Sequence, residues 1–202
     1  RLGRRRLWWN AMSVLPIVTV GHPVLRARAE EVSADELASP EVQRLIDDMI
    51  ETMRAAGGAG LAANQVGDLR RIAVIEVDRN PRYPYKPPIP LTVIVNPVVE
   101  PVDAETVAIN EGCLSVPDLR GTLDRHVTVR VRYLDRHGAA HDEIRRGLTA
   151  GTFQHEADHL DGILFLDRVT DPATFTTWEQ FDRYHRDAFV ARITEFVERV
   201  GS

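Results

Sequence analysis

Apolar residues first recur at helical spacing between positions 42 and 53, where Val42, Leu45, Ile46, Met49, Ile50 and Met53 mark one face. Ser39 stands ahead of them as an N-cap with Pro40 in the first helical position, and Gly57-Gly58 stops the run. An amphipathic helix is therefore predicted over residues 39–56. Four segments rich in β-branched residues follow and read as strands: RIAVIEV (71–77), LTVIVNPVVE (91–100), TVAI (106–109) and VTVRVRYLD (127–135). Between the first two, residues 78–90 hold five of the chain's twelve prolines and predict a surface loop. A second helix is expected from about Leu148 to Leu160, ending near Gly162. Beyond the Asp171-Pro172 turn, Phe181, Ala188, Phe189, Ile193, Phe196 and Val197 recur at helical spacing and predict one long helix over 178–200. Strands in the middle with helices before and after imply an α+β fold. Mostly antiparallel sheets would pack around a central helix, with an N-terminal helix and a long C-terminal helix completing the domain.

Length and composition narrow this picture. A chain of 202 residues suits a single domain, here expected over residues 12–202. Residues 1–11, RLGRRRLWWNA, fit no periodic pattern and carry four arginines without the apolar stretch of a secretory signal. They read as a disordered or non-native extension ahead of Met12, with a basic anchor as the alternative. No apolar run approaches the roughly 20 residues of a membrane span. The net charge of −5 argues against broad nucleic-acid binding. The single cysteine, Cys113, excludes an internal disulfide and fits a reducing, cytoplasmic compartment. Arginine outnumbers lysine so strongly, with Lys86 the sole lysine, that a GC-rich bacterial genome is indicated.

Candidate chemistry begins in QHEADHLDG (154–162), where His155 and His159 lie four apart with Glu156 directly after the first. On a helix these positions share a face, so the two rings converge on one point that suits a metal ion. Glu156 is turned about 100° round the axis, out of reach as a ligand of that pair but near enough to touch water on the same ion. Ordinary core or surface histidines give the same pattern. A catalytic site takes three protein ligands and keeps a fourth position open, so another segment must supply the third.

EGCLSVP (111–117) follows a short strand and holds the only cysteine, with Pro117 expected to end any ladder there. Gly112 lets the backbone approach a ligand closely, and a thiolate with two imidazoles makes a three-ligand set. A lone cysteine is otherwise a buried small hydrophobe; here it completes a set that lacks one member. GGAGLAANQVG (57–67) is mostly glycine and alanine, which suits backbone passing close to a ligand. Gln65 stands out within it, either satisfying loop carbonyls or donating a hydrogen bond to an oxyanion.

In this order GAGLAANQ, EGCLS and QHEADHLDG resemble the three signature motifs of the peptide deformylases, over roughly residues 14–170. The resemblance implies a metal held by Cys113, His155 and His159, with Glu156 as general acid and base. It also implies that Gln65 and the backbone N–H of Leu114 are oxyanion donors. Backbone groups around Ala59, Gly60 and Gly112 would pair with an extended peptide. The family's usual metal is Fe(II), with zinc, nickel or cobalt also accepted. Its substrates are nascent chains beginning with N-formylmethionine, which makes the ribosome a partner; no direct nucleic-acid motif and no membrane is implied. Ala59 stands where many members carry isoleucine or valine, and Gly151 and Thr152 stand where apolar bulk is frequent. They imply a roomier pocket for the first side chain and leave the strictness of methionine preference open. Arg120 either guides peptide at the cleft mouth or is an exposed, solvated arginine.

Two rival readings remain open at this point. In a thermolysin-type peptidase the third ligand is a glutamate about twenty residues past the second histidine, and Glu179 stands twenty residues after His159. It also begins the predicted last helix, where its charge is favourable in any case. A silent peptide-binding module is the other. His22, His126, His137, His141 and His185 have no partner at ligand spacing and read as surface residues.

Overall fold

The structure is a computed structural model that describes residues 13–78 and 85–201. The extension at 1–11 and residues 79–84 of the proline-rich segment lie outside the described residues.

The N-terminal helical region has two parts, a single turn α1 (Ala34–Leu37) and α2 (Pro40–Ala55). Ser39 caps α2 as expected, its side chain accepting a hydrogen bond from the Val42 N–H at 3.3 Å. The apolar face of α2 buries Val42, Ile46, Met49, Ile50 and Met53. Strands β1 (Gly60–Ala62), β2 (Ile72–Val77) and β3 (Ile89–Pro101) follow, then β4 (Thr106–Cys113), β5 (Val116–His126), β6 (Thr128–Leu134) and β7 (Ala140–Arg146). Helix α3 (Gly147–Leu160), the turn α4 (Phe165–Arg168), strand β8 (Thr176–Thr177) and helices α5 (Trp178–Tyr184) and α6 (Arg186–Val200) complete the chain. The strands form a five-stranded sheet ordered β1-β2-β3-β6-β7 and a three-stranded sheet ordered β4-β5-β8, every pairing antiparallel.

Strand β2 shows why the five-stranded sheet sits at the centre. Its side chains alternate between faces, yet Ile72, Ala73, Val74 and Ile75 are all fully buried. Ile72 and Val74 join the cluster beneath α2, whereas Ala73 and Ile75 join Phe153 and Leu160 of α3. One helix thus covers each face, and α3 is buried along nearly its whole length. It ends as predicted at Gly162, whose φ of +74° favours glycine and where a Cβ would lie 2.6 Å from the Arg26 carbonyl oxygen.

Several expectations need correction. Pro117 does not end a ladder: it is the second residue of β5, exposed, and precedes the pairing with β8 that begins at Leu119. A proline is tolerated there because no ladder bond requires its missing N–H. Residues 85–90 are not surface loop throughout, since Ile89 and Pro90 belong to β3 and Tyr85 and Lys86 line a cavity. The predicted long C-terminal helix is two helices broken at His185, whose φ and ψ are −123° and −24°. The break lets Phe181 on one helix and Phe189, Ile193 and Phe196 on the other reach the same core around Ile109 and Leu148. Ala188, expected on the buried stripe, is exposed.

Candidate metal centre

The site is built where the end of β4 meets α3. A register shift between Gly112 and Cys113 marks the end of the β4–β5 ladder, the kind of irregularity that re-aims a side chain. Cys113 Sγ consequently lies 3.2 Å from His159 Nε2. Ligand atoms from Cys113, His155 and His159 all fall within 4.8 Å of one another, and among the described residues they form the one cluster suited to a metal. Helical spacing brings the two rings 4.9 Å apart at 76°, so they converge rather than stack. One sulfur and two nitrogens on rigid elements fit a divalent transition metal with an open fourth position.

One of the ligands, His155, is held from behind by a buried ion network. His155 Nδ1 is 2.8 Å from Glu111 Oε2, which leaves Nε2 for the metal. Glu111 accepts two bonds from Arg125, at 2.8 and 2.9 Å, and Arg125 donates a third to Asp158 at 2.5 Å. Arg168 also donates to Asp158. Burial alone raises a carboxyl pKa, but Arg125 and His155 outweigh it and hold Glu111 well below the usual carboxylate range. Glu111, Arg125 and Asp158 were not singled out from the sequence. Glu111 and Asp158 sit inside the quoted motifs as acids without a stated task, which was the available signal.

This network predicts a stability effect with a definite pH dependence. The Arg125 side chain is 2% exposed and those of Glu111 and Asp158 are 10% exposed, so Arg125→Met leaves two carboxylates buried without their main counter-charge. The expected cost is about 3–5 kcal/mol at pH 7. With a depressed folded-state pKa, Glu111 stabilises the wild type above its unfolded pKa and loses that contribution as pH falls. In the mutant, Glu111 relieves its burial by taking up a proton. The gap between the two proteins should therefore narrow toward pH 4, and urea unfolding of both metal-free proteins at the two pH values checks it.

Glu156 occupies the other side of the ligand set. It is 3% exposed, and its Oε2 has no hydrogen-bond partner among the described residues. Burial pushes its pKa up to about 7, with Glu111 adding to the rise and His155, Lys86 and Arg125 opposing it. A carboxyl poised there exchanges protons near neutral pH. Its place depends on Gly60: a Cβ at that position would lie 2.2 Å from Glu156 Oε1. The small residues of this segment thus make room for the Glu156 carboxylate. Gly60→Ala is expected to lower turnover at least tenfold, about what a misplaced proton-transfer group costs, with metal content unchanged. Wild-type turnover in that variant would remove Glu156 from this arrangement.

Ten of the other predicted residues line one cavity over the ligands: Ala59, Gly60, Gln65, Gly112, Cys113, Leu114, Arg120, Gly151, Thr152 and His155. Glu156 lines it too, while His159 is 1% exposed and lies beneath. Gln65 accepts from the Ala62 N–H at 2.8 Å, and its Nε2 donates to Ser115 Oγ at 3.1 Å and, at a long 3.6 Å, to Cys113 Sγ. Gly151 borders the cavity as the roomier pocket requires, and it also serves a close contact of α3 with β4, since a Cβ there would press to 3.1 Å from Ile109 Cδ1. Arg120 is not an exposed arginine. It is 1% exposed, bonded to Asn110 Oδ1 and O at 2.7 and 2.8 Å, with its guanidinium 4.0 Å and 4.6 Å from the ring centres of Trp178 and Phe181.

Glu179 is exposed in the first turn of α5 and outside the ligand cluster, so the peptidase ligand set is not assembled. His22, His137 and His185 are exposed as expected. His126 and His141 are half-buried instead, and His141 stacks on Tyr133 with ring centres 4.9 Å apart.

Comparison with known proteins finds relatives over most of the chain. A sequence model of polypeptide deformylase matches residues 14–174. The peptide deformylase of Leptospira biflexa is 41% identical over 172 residues, covering 85% of this chain and 96% of its own length. Peptide deformylase 1 of Corynebacterium efficiens is 45% identical over 166 residues, covering 80% and 90%. Among solved structures, the Met-Ala-Ser-bound class I type b peptide deformylase of Acinetobacter baumannii superposes with a TM-score of 0.76 at 40% identity. That superposition covers 79% of this chain and all of the other. An actinonin complex of the Synechococcus elongatus enzyme covers 91% of both chains with a TM-score of 0.71 at 33% identity.

Proposed function

This chain belongs to the peptide deformylase family, metal-dependent hydrolases that remove the N-formyl group from newly made proteins and release formate, and from that premise we propose how its residues divide the work. Cys113, His155 and His159 hold one divalent metal, most suitably Fe(II) in the cell, with zinc, nickel or cobalt accepted by the same donors. When bound, the metal supplies Lewis acidity, which polarises the formyl oxygen and lets water act as a nucleophile near neutral pH. Glu156 takes the proton from the attacking water and later delivers it to the leaving amine. Its pKa, pushed up to about 7, and an Oε2 without a hydrogen-bond partner among the described residues support both directions of transfer. Gln65 Nε2 leaves its long contact with Cys113 and, with the Leu114 N–H, donates to the oxyanion that forms as the carbonyl is attacked. Backbone around Ala59, Gly60 and Gly112 pairs with the substrate as an extended strand. Arg120, fixed by Asn110 and two aromatic rings, steadies the cavity wall beside it.

The observation that carries this reading is the convergence of Cys113, His155 and His159 beneath a cavity that also holds Glu156 and Gln65. The substrate is an N-formylmethionyl nascent chain, with the ribosome as the site of encounter and the cytoplasm as the compartment. Among the described residues no helix is long and apolar enough to cross a membrane. Formate release from formyl-Met-Ala-Ser by anaerobically prepared, Fe(II)-loaded protein tests the reading, with acetyl-Met-Ala-Ser as control. Release confined to the formylated peptide is expected. Absence of release from protein holding one metal per chain would overturn it.

A further inference from the structure

The two imidazole ligands differ in what stands behind them. His155 Nδ1 meets Glu111, whereas His159 Nδ1 is buried and has no hydrogen-bond partner among the described residues. His159 Nε2 is the atom that lies 3.2 Å from Cys113 Sγ, so Nε2 faces the metal position and Nδ1 stands on the far side of the ring. A neutral imidazole that gives Nε2 to a metal carries its proton on Nδ1. Ligating histidines ordinarily donate that N–H to an outer partner, which fixes tautomer and ring orientation, and a buried N–H without an acceptor is costly. His159 therefore needs an acceptor behind it.

Four buried side-chain oxygens have no hydrogen-bond partner among the described residues: Asn64 Oδ1, Thr149 Oγ1, Glu156 Oε2 and Thr176 Oγ1. Thr149 stands ten residues before His159 on α3, about 15 Å back along the axis. Glu156 lines the cavity above the ligands, and Thr176 belongs to β8. Only Asn64 is already joined to His159, its Nδ2 donating to the His159 carbonyl oxygen. That carbonyl does not depend on the bond, since it also accepts from the Gly162 N–H at 3.0 Å. Asn64 is fully buried on a short 3-10 turn (Ala63–Val66), next to Gln65, whose Nε2 reaches Cys113 Sγ. We propose that Asn64 is a positioning residue for the metal site: its Oδ1 accepts from His159 Nδ1–H and holds the ring so that Nε2 is presented to the metal. The terminal amide of asparagine turns about a soft torsion, which lets Oδ1 meet the imidazole while Nδ2 keeps the carbonyl. One turn thus serves two ligands, the cysteine through Gln65 and the buried histidine through Asn64. This inference rests on the reading of His159 as a ligand, and its test separates the two.

The test pairs a crystal structure with metal affinities. In the zinc-loaded wild type, Asn64 Oδ1 is expected at hydrogen-bond distance from His159 Nδ1, about 2.7–3.2 Å. Another acceptor on Nδ1, whether a backbone carbonyl, a water or a different side chain, would overturn the proposal, and this arm needs no variant to fold. Zinc affinity, by competition with a chelator, is then compared among wild type, Asn64→Leu and Asn64→Asp, with thermal melting of each metal-free protein. Asn64→Leu removes the acceptor and should bind zinc roughly 10- to 100-fold more weakly than wild type. Asn64→Asp keeps an oxygen for Nδ1–H and gives up the Nδ2 donor, so it should bind zinc at least about tenfold more tightly than Asn64→Leu. Wild-type zinc affinity in Asn64→Leu, or affinities alike in the two variants with only the melting temperatures lowered, would mean a role confined to packing or to the His159 carbonyl and would overturn the proposal. A wild type that takes up no zinc would overturn the ligand reading of His159 itself.

Discussion

Glu156→Gln is expected to retain its metal and to lose roughly 10²- to 10⁴-fold in turnover, the range for a general acid–base group removed from a hydrolytic site. The substitution keeps the shape that fits over Gly60, so the loss cannot be assigned to a refilled cavity. The ligand set is untouched, because Glu156 stands outside the cluster of Cys113, His155 and His159. What disappears is the exchange of a proton by a buried carboxyl whose pKa lies at about 7. Formate release per bound metal is the quantity to measure. Near-normal turnover in metal-replete Glu156→Gln would leave proton transfer without an owner.

The second large effect concerns the ligand that comes from outside the helix. Cys113 is the last residue of β4, and its sulfur closes the set only because the ladder with β5 changes register there. Cys113→Ala leaves two imidazoles on one helix and no soft donor facing them. Loss of an outer partner of a metal ligand costs roughly 10- to 100-fold in metal affinity. Removal of a ligand itself should exceed about 100-fold and empty the purified protein. Glu179→Gln, on an exposed helix turn, should bind metal as wild type does. Metal analysis of the two purified variants decides between them, and full metal content in Cys113→Ala would exclude the cysteine.

The parts of this site that were legible in the sequence are the ones set by local periodicity. His155 and His159 share a face because a helix repeats every 3.6 residues, and that needs no knowledge of the fold. Helix α2 was legible for the same reason, down to Ser39 and Pro40. Strand β5 was not, because Pro117, Asp118, Gly121 and the inward-facing Arg120 and Arg125 break the pattern expected of a strand. Those two arginines are buried because partners from elsewhere in the chain receive them: Asn110, Glu111 and Asp158 by hydrogen bonds, Trp178 and Phe181 by their rings. Gly60 was recognised as a close approach, but what approaches it is the Glu156 carboxylate, brought there by the packing of β1 against α3. The break at His185 carries no glycine or proline to announce it. It follows from two short helices sharing one core. Lys86 was noticed only as a compositional oddity, since nothing in a proline-rich segment says that one of its side chains turns inward.

X-ray absorption on the zinc-loaded protein examines most directly the claim on which the rest depends, that two segments distant in sequence close a single metal site. The account predicts one sulfur near 2.3 Å and two imidazole nitrogens near 2.0–2.1 Å, distances characteristic of zinc bound to cysteine and histidine. A first shell of nitrogen and oxygen without sulfur would contradict it.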